Sequence, residues 1–214
     1  MSSLPPALRV ALVEDQPLFQ EMLQHLLGSV PGFRVRAAGS VAEASVWDPH
    51  EFDVALLDFE LPDGTGLELG RKLQRVNPQI GIVLLSAVDR VQTLLELGER
   101  ERWSYLSKTS ATSAGDLVRA VKAAAAGRFI IDPQIITRRR PRSGSRLDAL
   151  SPRQYEVLEL LAEGLTNQAI AGHLGLAVNS VNNHVNAVYS ALGLADLTRN
   201  PRVSAVRVFL EDSV

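Results

Sequence analysis

Cysteine is absent from the 214 residues. That excludes disulfides, thiolate metal sites and cysteine nucleophiles together. No uninterrupted apolar run approaches the ~20 residues needed to span a bilayer. The opening "MSSLPPALRV" has two prolines and no long apolar core, so it does not read as a signal peptide. The expectation is a soluble, cytoplasmic protein with no membrane partner. One further absence is local. The stretch "SVNNHVNAVY" at 180–189 holds neither lysine nor arginine.

The formal net charge is only −2, but it is unevenly spread. Residues 1–134 carry 13 Lys and Arg against 17 Asp and Glu. Residues 135–146, "IITRRRPRSGSR", carry five arginines and no acid. Residues 147–214 carry four arginines against seven acids. An acidic front, a basic strap and a mildly acidic tail suggest two domains, 7–128 and 147–214, joined by an Arg-rich linker at 129–146. The strap reads as a solvated, disordered segment whose arginines are available to attract nucleic-acid phosphate.

In the front half, strand-like apolar runs at 8–13, 33–38, 54–57, 80–85 and 103–106 alternate with helical patterns near 17–28, 41–47, 66–76, 89–100 and 113–126. Five strands alternating with five helices imply an α/β doubly wound domain, a parallel sheet covered on both faces. Ligand sites in such sheets lie beyond the carboxyl ends of the strands. The residues there are Glu14, Asp15, Asp58, Ser86 and Lys108. Carboxylates crowded into one crevice should have split or raised pKa values unless a cation joins them. A hard ion such as Mg²⁺ favours a few carboxylate oxygens, a carbonyl and water. In "LLDFELPDGTG" the strand ends at Asp58, and Pro62, Gly64 and Gly66 force a loop that exposes a nucleophilic carboxylate. Lys108 can neutralise transferring phosphoryl oxygens, and Ser86 can donate to a bound phosphate. Asp15, ahead of Gln16 and Pro17, is also a candidate helix cap.

These positions, with the lysine of "YLSKT", resemble the receiver domain of two-component response regulators over about residues 7–128. The resemblance implies Asp58 as phosphoacceptor and Glu14, Asp15, Asp58 and the main-chain carbonyl of Glu60 as the Mg²⁺ ligands. It implies Ser86 and Tyr105 as a switch pair and a sensor histidine kinase as partner. "GERERWSYLSK" departs from the family's usual approach to the lysine, placing Trp103 and the charged Glu99, Glu101 and Arg102 beside the fifth strand.

From Leu150 the pattern turns helical. Ser151 and Pro152 start a helix with Val157, Leu158, Leu160 and Leu161 buried, and Gly164 ends it. Thr166 caps a short helix 167–174, Gly175 makes a turn, and a longer helix runs from about 179 to 192. That is the helix-turn-helix order, in which the second helix enters the major groove. A final helix is expected over 203–210. The text "LSPRQYEVLELLAEGLTNQAIAGHLGLAVNSVNNHVNAVYSALGL" resembles the LuxR-type output domain, an all-α four-helix module. The whole chain therefore resembles a NarL/FixJ-type response regulator, a phosphorylation-dependent, DNA-binding transcriptional regulator rather than an enzyme, and a homodimer when phosphorylated.

Asn179, Asn182, Asn183 and Asn186 share one helical face, with Val181, Val185 and Val188 on another. Asparagine pairs bidentately with adenine, so Asn182, Asn183 and Asn186 are candidate base readers. Thr166, Asn167, Ser180, His184, Arg199 and Arg202 complete the candidate DNA contacts. Relatives usually have a Ser or Thr cap where this chain has Ala177, a loss worth about 1 kcal/mol unless Asn179 takes over by starting the helix later. The alternative function is a phosphorylation-switched protein-interaction module whose helix-turn-helix has lost strong DNA binding.

Overall fold

The computed structural model describes residues 7–87, 103–194 and 200–213. It divides into two compact units, and the break in the second half of the chain falls between Ile130 and Ile131. The expected helix near 89–100, with Glu99, Glu101, Arg102 and Arg199, lies outside the described residues.

In the first unit β1 (Leu8–Val13), β2 (Phe33–Ala38), β3 (Val54–Asp58), β6 (Gly81–Ser86) and β7 (Ser104–Ser107) form one parallel sheet in the order β2-β1-β3-β6-β7. Alternation along the strands sends Val10, Leu12, Val54, Leu56, Val83, Leu85 and Leu106 to one face. There they pack on Leu23 and Leu27 of α1 (Pro17–Gly28) and on Leu117 and Val121 of α5 (Ala114–Ala125). Burying an apolar side chain of this size contributes about 2 kcal/mol, so this cluster fixes the register. Two glycines permit the close approaches. A Cβ on Gly81 would lie 2.4 Å from the Ala124 carbonyl, and one on Gly66 would lie 2.1 Å from that of Asp58. On the other face, α3 (Gly66–Val76) brings Gly70 beneath the fully buried Trp103, whose Nε1 donates to Gln74 at 2.7 Å.

Short elements complete the unit. The expected 41–47 helix is α2 (Val41–Ala44), capped by Ser40. A two-residue hairpin, β4 (Glu60–Leu61) with β5 (Gly64–Thr65), follows β3, and α4 (Lys108–Ala111) follows β7. Asp63 in the hairpin turn accepts from the Val41 and Ala42 amides, both at 2.8 Å, and so ties the loop after Asp58 to the start of α2.

The second unit has α7 (Pro152–Ala162), α8 (Asn167–Leu174), α9 (Val178–Ala191) and α10 (Pro201–Asp212). Ser151 and Gln154 close a capping box on α7, and Thr166 caps α8. Gly175, at φ 65°, makes the left-handed turn into α9. Val157, Leu160, Leu161, Ile170, Ala171, Val181 and Val185 form the core.

Residues 129–146 are not a disordered strap. Ile131 donates to the carbonyl of Ala162, and Asp132 caps a further helix, α6 (Pro133–Arg138). Arg139 donates to the Leu210 and Ser213 carbonyls, both at 3.1 Å. Arg146 Nε reaches Asp212 at 2.7 Å and its Nη2 reaches Glu211 at 2.8 Å. The physical reason is the open end of α10. Its last carbonyls lack helical partners and its last two residues are acidic, so cations settle there.

Candidate functional site

Glu14 continues directly from β1 and is fully buried, whereas Asp15 beside it is exposed. Asp58 ends β3 and is 3% exposed. Lys108 opens α4, whose cap is Ser107, and its Nζ stands 2.8 Å from both Glu14 Oε1 and Asp58 Oδ2. Glu14 Oε1 also accepts from the Gln16 amide at 3.1 Å, and Asp58 Oδ1 accepts from the Glu60 amide at 3.3 Å. Asp15, Asp58, Glu60, Ser86 and Lys108 line one cleft of about 190 Å³. The N-cap of α1 is Gln16, without a side-chain bond, so Asp15 does not serve as the helix cap.

Burial pushes the Glu14 carboxyl above the usual range, against the Lys108 hydrogen bond and with added repulsion from Asp58. Burial likewise raises Asp58, with Lys108 opposing. On Lys108 burial works downward, but the bonds to Asp58 and Glu14 outweigh it and its pKa is raised. One ammonium therefore does not fully compensate two buried acids. A carboxylate whose folded pKa is raised favours the fold while protonated and costs stability once pH passes that pKa.

That residual strain suits a cation. One ligand oxygen from each of Glu14, Asp15 and Asp58 lies within 4.8 Å of the others, and Glu14 Oε2 is buried without a hydrogen-bond partner. All donors are hard oxygens, the set a divalent ion of the Mg²⁺ or Ca²⁺ kind takes.

Ser86 ends β6 and is 2% exposed, and Tyr105 on β7 is 1% exposed. Tyr105 stands in register with Leu84, so Ser86 is its diagonal neighbour on the same face of the sheet.

In the second unit, Asn179, Asn182, Asn183 and Asn186 are exposed along α9 while Val181, Val185 and Val188 are buried. Ser180 and His184 are half-buried, and Thr166 is exposed. Asn167 Nδ2 donates to Asn182 Oδ1 at 2.8 Å, bringing the first residue of α8 to the asparagine face of α9. Two points from the sequence are settled differently here. The helix starts at Val178 behind Ala177 with no side-chain cap, so Asn179 does not take over that role. Arg202 turns inward, donating to the carbonyls of Leu161 in the last turn of α7 and of Leu165 just past it, where the helix end leaves acceptor capacity for the guanidinium.

Sequence reasoning missed the Asp63 tie, the Asn167–Asn182 bond and the clamp on α10. "DP" at 132–133 was a legible helix start; the other contacts join residues at least 15 positions apart and leave no local pattern.

Residues 10–122 match the response regulator receiver domain, and residues 148–203 match the bacterial regulatory proteins of the luxR family. A DNA-binding transcriptional activator of Mycobacterium tuberculosis, DevR/DosR, is 34% identical over 199 residues, 89% of this chain and 91% of that protein. The response regulator protein VraR of Staphylococcus epidermidis is 27% identical, over 90% of this chain and 94% of its own. Among solved structures, the response regulator ChrA of a heme-sensing two-component system is 25% identical, with TM-score 0.50 over 94% of this chain and 96% of that one.

Proposed function

Because the chain belongs to the response regulators that join a receiver to a LuxR-type helix-turn-helix, we propose that Asp58 is the phosphoacceptor that switches its DNA binding. As a member of that family it is a phosphorylation-dependent transcriptional regulator of a two-component system, acting with a histidine kinase and on double-stranded DNA. Regulation rather than turnover of a substrate is its work, and the cytoplasm is where that work is done. No described helix is long and apolar enough to cross a membrane.

The observation that carries the assignment is the convergence of Asp58, Glu14 and Lys108, with both acids buried and one ammonium 2.8 Å from each. The Asp58 carboxylate attacks phosphorus, a P–O bond forms, and the P–N bond of a phosphohistidine breaks, its electron pair passing to the imidazole. Lys108 holds the charge of the transferred oxygens. Mg²⁺ fits the oxygens of Glu14, Asp15, Asp58 and the Glu60 carbonyl, and when bound it neutralises phosphoryl charge. Ser86 donates to the new phosphoryl group, and Tyr105, its neighbour across the strands, relays the change. The phosphorylated protein pairs as a homodimer on two half-sites.

Acetyl phosphate with Mg²⁺ labels the wild type on Asp58, and Asp58→Asn takes up no label. Equal labelling of the variant contradicts the assignment. The protein-interaction alternative draws support from Arg139 and Arg202, which turn inward, and from Arg146, which pairs with Asp212 and Glu211, leaving fewer cations for phosphate.

A further inference from the structure

The cross-helix amide pair gives the DNA reading face a chemical polarity. We propose that Asn167 is a positioning residue that makes Asn182 select an acceptor edge in the major groove, guanine, in place of the adenine that an unconstrained asparagine would select. This rests on the reading of α9 as the DNA-facing helix.

Asn167 is the first residue of α8, held by the Thr166 cap, whose Oγ1 accepts from the Ala169 amide at 3.2 Å. The backbone that carries its side chain is therefore held by the cap. Asn182 lies one turn into α9, on the exposed side. The 2.8 Å bond from Asn167 Nδ2 occupies Asn182 Oδ1 and fixes the plane of its amide. Among the described residues, no hydrogen bond engages Asn182 Nδ2.

Bidentate recognition of adenine needs both ends of one amide, the oxygen accepting from N6 and the nitrogen donating to N7. With one lone pair of its oxygen taken by Asn167 and its amide plane fixed, Asn182 leads with its Nδ2 donors. Guanine offers two adjacent acceptors, N7 and O6, to such a group, whereas cytosine and the N6 side of adenine offer donors that would face it. Asn183 and Asn186 have no such neighbour bond among the described residues, so each keeps both ends of its amide and stays matched to adenine. Three chemically identical side chains on one face thus read two different edges. The cause is a residue on the preceding helix.

The test is selection of bound DNA from a random pool by the full-length phosphorylated protein. Asn182→Ala identifies the position that Asn182 reads, as the one whose preference disappears. At that position the wild type prefers guanine by roughly tenfold. Asn167→Ala frees the amide and moves the preference to adenine. Asn167→Asp can only accept, so Asn182 turns to donate to it and presents its oxygen, moving the preference to cytosine or adenine. An acid in the first turn of α8 also favours that helix, so this variant folds. A wild-type preference for adenine or cytosine at that position, or an unchanged base in both Asn167 variants, overturns the proposal alone. A wild-type pool that enriches no sequence overturns base reading by α9, and the proposal with it.

Discussion

Glu14 and Asp58 are two buried acids that share one ammonium, and both have pKa values pushed up chiefly by burial. Above those raised pKa values the ionised cluster costs stability, and a divalent cation relieves that cost. MgCl₂ should therefore raise the unfolding midpoint at about pH 7.5 and raise it less at about pH 5, where protons compete for the same oxygens. A calorimetric scan checks this, and a Mg²⁺ effect that is flat or grows toward acid contradicts it. The acids themselves were legible, since each follows an apolar run whose end sets the sheet's ligand edge. Which of Glu14 and Asp15 would be buried was not. Both read alike as acids after β1, and the choice depends on how the chain leaves the strand toward α1.

Among the elements, α10 shows most clearly how far local pattern reaches. Its helical character was readable, but its bounds extend to Pro201–Asp212, because Asn200 and Pro201 supply a start that an apolar pattern alone understates. The arginine run was readable as charge. Its destination was not, because the acids that receive it lie some 66 residues further on. The Arg146 guanidinium holds the Asp212 carboxyl below its usual range. A depressed carboxylate contributes stability above its unfolded pKa and loses it as pH falls through its folded one. Arg146→Ala should therefore destabilise the second unit by about 1 kcal/mol at neutral pH, a modest figure because the guanidinium is half exposed. The gap between variant and wild type should close as pH falls below about 4. Urea melts at both pH values check this, and a gap that persists in acid would show that packing, rather than the ion pair, carries the effect.

For the whole molecule, the joining of a receiver to a LuxR-type helix-turn-helix makes phosphorylation the input and DNA binding the output. The sequence declared both parts because the chemistry of each is concentrated at strand ends and on one helix face. Of the cations expected to meet phosphate, Arg139, Arg146 and Arg202 satisfy carbonyls and acids within their own unit, whereas Arg138, Arg140 and Arg142 are exposed. The decisive measurement is the occupancy of a selected two-half-site DNA by wild type and Asp58→Asn, with and without acetyl phosphate and Mg²⁺, with mass followed by light scattering. Acetyl phosphate should convert the wild type to a dimer and tighten binding at least tenfold, and Asp58→Asn should stay monomeric and weak under both conditions. Equal dimerisation and equal DNA binding by the variant would contradict it.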